Sequence, residues 1–467
     1  MTALPKDDPA LRKLDPTLLV IGNLARQYKV HHRNKSVSFG TLVLQQFGYA
    51  GLANELFHKG GLVRMLLWLP AAEKYTLLPI SEMHRRSMNA RLSVGSTITE
   101  TVGSLDLYNA DSTFYARRRQ RAPVVEAVLA DRAQRWMHDH GMQRPTGRPF
   151  LYNRLEADAS EEVLSPFETT VSTWRDLEAE IDTAEARFET ISSVSLPRSK
   201  ERRSEDQKQQ VEATLLGGMK YPQCGPASTT YHETGLRTPW LAVFADMGLR
   251  IMNLEVALCV VEEKAGAGAD YERARDRILK LDAGLEACIL QRQIMLNLLS
   301  QQIVDQQQAC LMEPPLMAID ARNYEPLKAA PDEFWPKNEI MLLDVVPKSR
   351  DLSVPDLASK GETARLCEAL LKGLLESSSR FLPESLERVA PNAARDLLPL
   401  VPAARDPRKG GRLNPNRIRV RMISEDVIVD LLRAWMEWPF KPSMTDLELA
   451  SESEEAGGVT EGEVESE

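Results

Sequence analysis

The residues best placed to do chemistry stand in DPTLLVIGNLARQYK, residues 15 to 29. Its apolar run Leu18 to Ile21 ends in Gly22-Asn23-Leu24. A buried strand that stops at a small residue and an amide delivers one hydrogen-bonding side chain to a pocket. Such an asparagine either works on a substrate or is what is left of a site that no longer does chemistry. His31 and His32 lie close by, but adjacent side chains point apart on most backbones, so a shared metal is not expected. His138 and His140, in MHDH, suit a solvated helix face. The sequence has no Gly-rich phosphate loop, no GxSxG elbow and no HExxH.

Positive charge is gathered into clusters. ARRRQR (116–121) follows Phe114-Tyr115 and contains Arg117, Arg118 and Arg119. HRR (84–86) holds Arg85 and Arg86. RKGGRLNPNRIRVR (408–421) places Arg408, Lys409, Arg412, Arg417, Arg419 and Arg421 in a run rich in Gly, Asn and Pro, with no acid inside it. Guanidinium forks match phosphate oxygens, so these residues are expected to contact a nucleic-acid backbone. The alternative is a solvated surface run or, for the first cluster, salt bridges to acids such as Glu126 and Asp131.

The elements that must position these groups alternate at first. TLLVIGN reads as a buried strand, 38–57 as a helix by apolar spacing, and LVRMLLWLP (62–70) as a second strand stopped by Pro70. A polar helix or loop follows over 82–98, and RLSVGSTITETV as a further strand. This pattern predicts a mainly parallel sheet with helices on its faces, entered at what looks like a middle strand. Residues 195–235 are polar and broken by Pro and Gly. Thr238-Pro239 opens a helix to Lys264, AGAGA breaks it, and a second long helix follows from Tyr271 with Gly284 as a weak point. NEIMLLDVVPK (338–348) reads as a late strand, GETARLCEALLKGLLESSSRFLPESL as a helix broken before Pro383, and Ser424 as the N-cap of a last helix.

The chain has 467 residues, 43% of them hydrophobic, enough for two or three domains. No apolar run approaches the ~18 residues of a membrane helix, so no membrane is expected as a partner. The five cysteines, Cys224, Cys259, Cys288, Cys310 and Cys367, form no CxxC pair and are expected as buried thiols in a reducing compartment. The net charge of −9 comes from the tail. Residues 446–467 carry nine acids and no base, which leaves 58 bases against 67 − 9 = 58 acids in the body. Any nucleic-acid surface must therefore be local. The tail is expected to be disordered. The N-terminus has neither the apolar core of a signal peptide nor the Arg-rich character of a transit peptide.

With these pieces placed, the chain resembles the fungal mitochondrial transcription factors related to ribosomal RNA adenine dimethyltransferases. The resemblance rests on WMEWPFKP (435–442), on LVRMLLWLP followed by EMHRRSMNARLSV, on FWPKNEIMLLDVVPKS (334–349), and on LLKGLLESSSRFLPESLERV. Residues 125–330 match poorly. It places GNLARQY on the family's catalytic Asn-Leu-Pro-aromatic motif, where the Asn would accept from the adenine amine and the aromatic would stack on the flipped base. Here Asn23 and Leu24 remain, Ala25 stands for Pro and Arg26 for the aromatic, while Tyr28 lies two residues too late. The family's cofactor is S-adenosyl-L-methionine, to which Asn23 would be adjacent. No Gly-rich strand-turn for it occurs before residue 15, so either the gene product is incomplete or the methyl-donor half was lost, and no cofactor is expected in this chain.

The resemblance thus implies an incomplete Rossmann-like methyltransferase α/β sheet (1–124), a helix-rich insertion (125–330), a late strand with a small helical C-terminal domain (331–445), and the acidic tail. It implies a non-catalytic mitochondrial transcription initiation factor in the matrix, monomeric on its own. Its partners would be the single-subunit mitochondrial RNA polymerase and promoter DNA, with RNA a further ligand. Arg26, Arg85, Arg86 and the two larger clusters would carry the nucleic acid. The alternatives are an active S-adenosylmethionine-dependent rRNA adenine N6-methyltransferase, and a non-catalytic helical interaction protein.

Overall fold

The structure, a computed structural model, describes residues 8–25, 29–32, 35–79, 81–103, 123–143, 145–148, 170–194, 217, 219–220, 239–292, 304–310, 312, 314–319, 321–349, 360–376 and 378–443. Arg26, Tyr28, Arg117, Arg118, Arg119, Cys224 and the acidic tail lie outside the described residues, as do the side chains of His31 and His32.

It is an α/β protein around a five-stranded sheet. The strands are β1 (Leu14–Asn23), β4 (Leu62–Pro70), β5 (Ser96–Gly103), β6 (Leu327–Lys328) and β7 (Ile340–Pro347), in the order β1-β4-β7-β5-β6. A separate antiparallel hairpin is made by β2 (Lys29–His32) and β3 (Lys35–Ser38). Two expectations are corrected here. The sheet is mixed, because β7 runs antiparallel to both β4 and β5 and sits between them. And β1 is an edge strand, paired in parallel with β4 alone among the described strands. The arrangement is consistent with a Rossmann-like sheet.

The first three helices serve the sheet: α1 (Phe39–Ala53), the short α2 (Lys74–Leu77) and α3 (Ser87–Gly95). Ser38 caps α1 by accepting from the Thr41 amide, and Asn54 ends it in the left-handed region. Met65, Leu67 and Leu69 of β4 meet Leu44 of α1 and Leu92 of α3 in one core. Gly48 permits the approach, since a Cβ there would stand 2.5 Å from a Leu92 methyl. The expected long strand from Arg91 begins only at Ser96, because residues 91–95 complete α3.

Residues 125–330 do not stand apart from the sheet. From α4 (Pro123–Asp139), Val128 and Leu129 join the sheet's core, as do Ala309, Cys310, Leu316 and Ile319. Only α5 (Trp174–Ser193), α6 (Pro239–Ala265) and α7 (Ala269–Arg292) form their own core, around Ile181, Phe244, Leu258 and Ile278. Gly284 does not break α7, because Phe188 of α5 packs against the space it leaves.

The C-terminal core gathers α8 (Lys360–Leu375), α9 (Leu382–Val389), α10 (Ala393–Leu397) and α11 (Glu425–Glu437) around the fully buried Trp435. Ala90 and Val94 of α3 enter it too and fasten it to the sheet. Pro383 opens α9 instead of ending α8, the position where its missing N–H costs nothing. Ser424 caps α11 through the Val427 amide.

Candidate nucleic-acid interface

Parallel pairing sets the end of β1 beside the end of β4, with Asn23 opposite Trp68. The Leu24 amide donates to the Trp68 carbonyl at 2.8 Å, so the turn leaves the sheet in a fixed direction. Asn23 Oδ1 accepts from the Ala25 amide at 3.0 Å, an Asx turn. That carbonyl keeps a second lone pair, and the Asn23 side chain is exposed. Gly40 lets α1 pass beneath: a Cβ there would lie 2.8 Å from the Leu24 carbonyl oxygen. Ala25 is buried, and its carbonyl receives Asn338 Nδ2 at 3.4 Å.

That last contact brings in residues that the sequence reasoning passed over. The chain entering β7 is folded over the ends of β1 and β4, where the Ala71 amide donates to the Glu339 carbonyl at 2.9 Å. Phe334 packs edge-on against Trp68, with ring centroids 5.5 Å apart. Trp335 is 96% exposed and Lys337 is exposed beside it. An aromatic pair followed by Pro and Lys was visible in FWPK, although its exposure was not. On the same sheet face, Arg64 holds Asp344 with a fork at 2.8 and 2.6 Å, and this raises the Arg64 pKa.

The strand directions put these groups on one rim. β1, β4 and β5 run the same way and β7 runs against them, so the carboxyl ends of β1 and β4 meet the start of β7. Arg86 is the N-cap residue of α3, which opens on that side, and its side chain is exposed. Ligands of open α/β sheets sit outside the carboxyl ends of strands.

The loop 408–421 has a different use from the one its composition suggested. Arg412 forks onto Glu255 at 2.8 Å and reaches Asp282 at 3.3 Å. Arg417 takes Asp282 at 3.1 Å and also Glu286. Arg419 and Arg421 share Asp305, at 3.3 and 2.6 Å, and Arg419 lies 4.9 Å over the Phe381 ring. Arg408 pairs with Glu263 and Asp406. Arg412, Arg417, Arg419 and Arg421 thus turn inward onto acids of α6, α7 and residue 305. A carboxylate already neutralises the positive charge that a phosphate would have used. Burial raises the Glu255 pKa, against the attraction of Arg412. Only Lys409 of the six is exposed.

Arg85 is likewise corrected. It is 2% exposed and donates to the carbonyls of Arg421 and Ile423, and burial lowers its pKa to about 10. His140 stacks on Trp136 at 3.8 Å, and no His, Cys, Asp or Glu group among the described residues could hold a metal. Cys259, Cys288, Cys310 and Cys367 are buried free thiols, and burial pushes Cys259 and Cys367 up to about 12.

No described strand flanks the outer side of β1, and no Gly-rich turn adjoins Asn23 to wall a cofactor. No helix of the described residues is long and apolar enough to cross a membrane. Set against protein-family models, curated proteins and solved structures, the chain matches none.

Proposed function

We propose that this chain is a non-catalytic transcription initiation factor that holds single-stranded nucleic acid at the carboxyl rim of its sheet. The observation that carries the reading is the exposed Trp335, which follows Phe334 in the chain, where Phe334 packs on Trp68, the residue opposite Asn23, and Lys337 is exposed two residues on. Single-strand binding combines aromatic faces for bases with cations for the backbone. Asn23 adds a directional hydrogen bond to a base edge. Ala25 supplies no stacking surface, and on this reading a base held there is bound and not modified. That the strand is melted promoter DNA, that the partner is a mitochondrial RNA polymerase and that the site of action is the matrix rest on the sequence resemblance alone.

The test is fluorescence titration with a short single-stranded DNA. Trp335→Ala is expected to weaken binding about tenfold, within the ~1–3 kcal/mol that one stacked base contributes. An exposed side chain contributes little to folding, so the melting temperature should hold. Equal affinity for wild type and variant would sink the rim as a binding site. Promoter-dependent run-off transcription that proceeds equally without the protein would sink the initiation role.

A second reading, a helical interaction protein built around a small α/β piece, draws support from the internal neutralisation of 408–421. It predicts no salt-sensitive affinity for single-stranded DNA.

A further inference from the structure

Between α7 and residues 405–417 lies a cavity of about 610 Å³, the size of a small-molecule site. One stripe of α7 supplies part of its lining. Tyr271, Arg275, Leu279, Asp282 and Glu286 recur at three- and four-residue spacing, so they share a face over about four turns. The rest of the wall comes from the C-terminal region, with Arg405, Leu413, Asn414, Pro415 and Arg417. The ions of this lining are unevenly matched. Asp282 is held by Arg412 and Arg417, and Arg417 also takes Glu286. Arg275 stands 3.7 Å from Glu272 and 3.9 Å from Asp276, too far for a hydrogen bond to either. The Arg405 side chain is exposed and has no ion pair or hydrogen bond among the described residues. The cavity thus keeps one guanidinium unanswered and a second loosely held, while its inner carboxylates are already neutralised.

We propose that this cavity binds a small organic oxyanion, a carboxylate or a phosphate carried on an apolar body. A guanidinium fork matches either headgroup, and Arg405 is the fork with nothing in it. Arg275 supplies a second cation from the opposite element. Leu279, Ala283, Leu413 and Pro415 offer apolar surface to the body, and Tyr271 offers a ring. A cationic ligand has no such partner, because Arg412 and Arg417 already occupy Asp282 and Glu286. An uncharged ligand would cover Arg405 without pairing it, at the cost of its hydration. The occupant touches α7 on one side and 405–417 on the other. It therefore braces the contact that Arg412 and Arg417 make, and it stabilises the fold by mass action. None of these residues belongs to the rim of the sheet, so the site stands independently of the nucleic-acid reading.

Calorimetric titration of the full chain with 1-naphthyl phosphate and with 1-naphthoate tests it. The control is 1-naphthylmethylammonium, which carries the opposite charge on the same body. At least one anion is expected to bind and to raise the melting temperature, and the cation is expected to do neither. The tighter of the two anions identifies the headgroup. Arg405→Ala should weaken that anion about tenfold, the loss expected for a charge-assisted hydrogen bond, and Arg405→Lys should weaken it less. Ala283→Phe sets a ring in the cavity and should abolish binding with an unchanged circular-dichroism spectrum, because Ala283 is exposed. Binding of neither anion would overturn the proposal, as would equal binding of anions and cation. So would an Arg405→Ala variant that binds like wild type, which would leave Arg405 as an ordinary solvated arginine at a cleft.

Discussion

The loop 408–421 and the rim formed by 22–25 with 334–338 exchange the roles that their composition suggests. The loop has the arginines, yet its guanidinium groups end on Glu255, Asp282, Glu286 and Asp305. The rim has few charges, yet it keeps Asn23, Trp335 and Lys337 in solvent. A cluster of like charge is a binding surface only when the fold supplies no counter-charge. Here it is a clamp that ties the α5–α7 bundle and residue 305 to the C-terminal domain. On the proposed reading, the availability of a residue, more than its type, marks the interface.

The comparison breaks most visibly if the clamp is removed. Arg412→Ala leaves Glu255, itself 1% exposed, without its guanidinium partner. Stranding one member of a buried ion pair costs about 3–5 kcal/mol, so a large fall in the urea midpoint is expected. The double variant Arg412→Leu/Glu255→Leu should recover most of that loss, because burying neither charge avoids both desolvation penalties. If Arg412→Ala unfolds like wild type, the loop is not a clamp and its arginines are open to phosphate after all. The triple change of Arg417, Arg419 and Arg421 to Ala should likewise act on stability and leave the salt dependence of DNA binding unchanged.

A smaller effect comes from Glu82, which is fully buried beside this network. Burial raises its pKa from 4.5 to about 7, against the attraction of Arg421 and with the repulsion of Asp305. The folded chain thus holds a proton on Glu82 that the unfolded chain has lost between those two values. Stability falls as pH rises through that window. Glu82→Gln keeps the shape and removes the ionisation. It should raise unfolding stability by about 1–3 kcal/mol near pH ~8 and change it little near pH ~4. A loss of stability near pH ~8 instead would show that Glu82 is charged in the fold and paired with Arg421.

How much of this was legible follows from how local each signal is. β4, α6 and α11 came out at their expected places, because Pro70, Pro239 and Ser424 act on their own neighbours. The place of β7 did not. Its apolar run is compatible with either direction, and only pairing with β4 and β5 decides. The carboxylates that answer the arginines were equally hidden: Glu255 stands 157 positions from Arg412 in the chain. A window free of acids, such as 408–421, therefore said nothing about its partners in space. Asn23 at a strand end was legible because a strand end and an amide are local. The exposure of Trp335 was not legible, because exposure is a property of the whole fold.

The neighbours Arg85 and Arg86 give the finest test of availability. They were expected to act alike, but Arg85 is buried against backbone carbonyls while Arg86 stands exposed where α3 begins, on the rim that holds Asn23. A cation that contacts one phosphate contributes about one unit of slope when the logarithm of affinity is plotted against that of salt. Arg86→Ala should lower the slope for single-stranded DNA by about that amount and leave the melting temperature in place. Arg85→Ala should do the reverse, leaving the slope and lowering the melting temperature, because its donors hold the carbonyls of Arg421 and Ile423. If both variants moved the slope equally, burial would not sort these arginines. If neither did, the interface would contract to Asn23, Trp335 and Lys337, where stacking and not charge would set affinity.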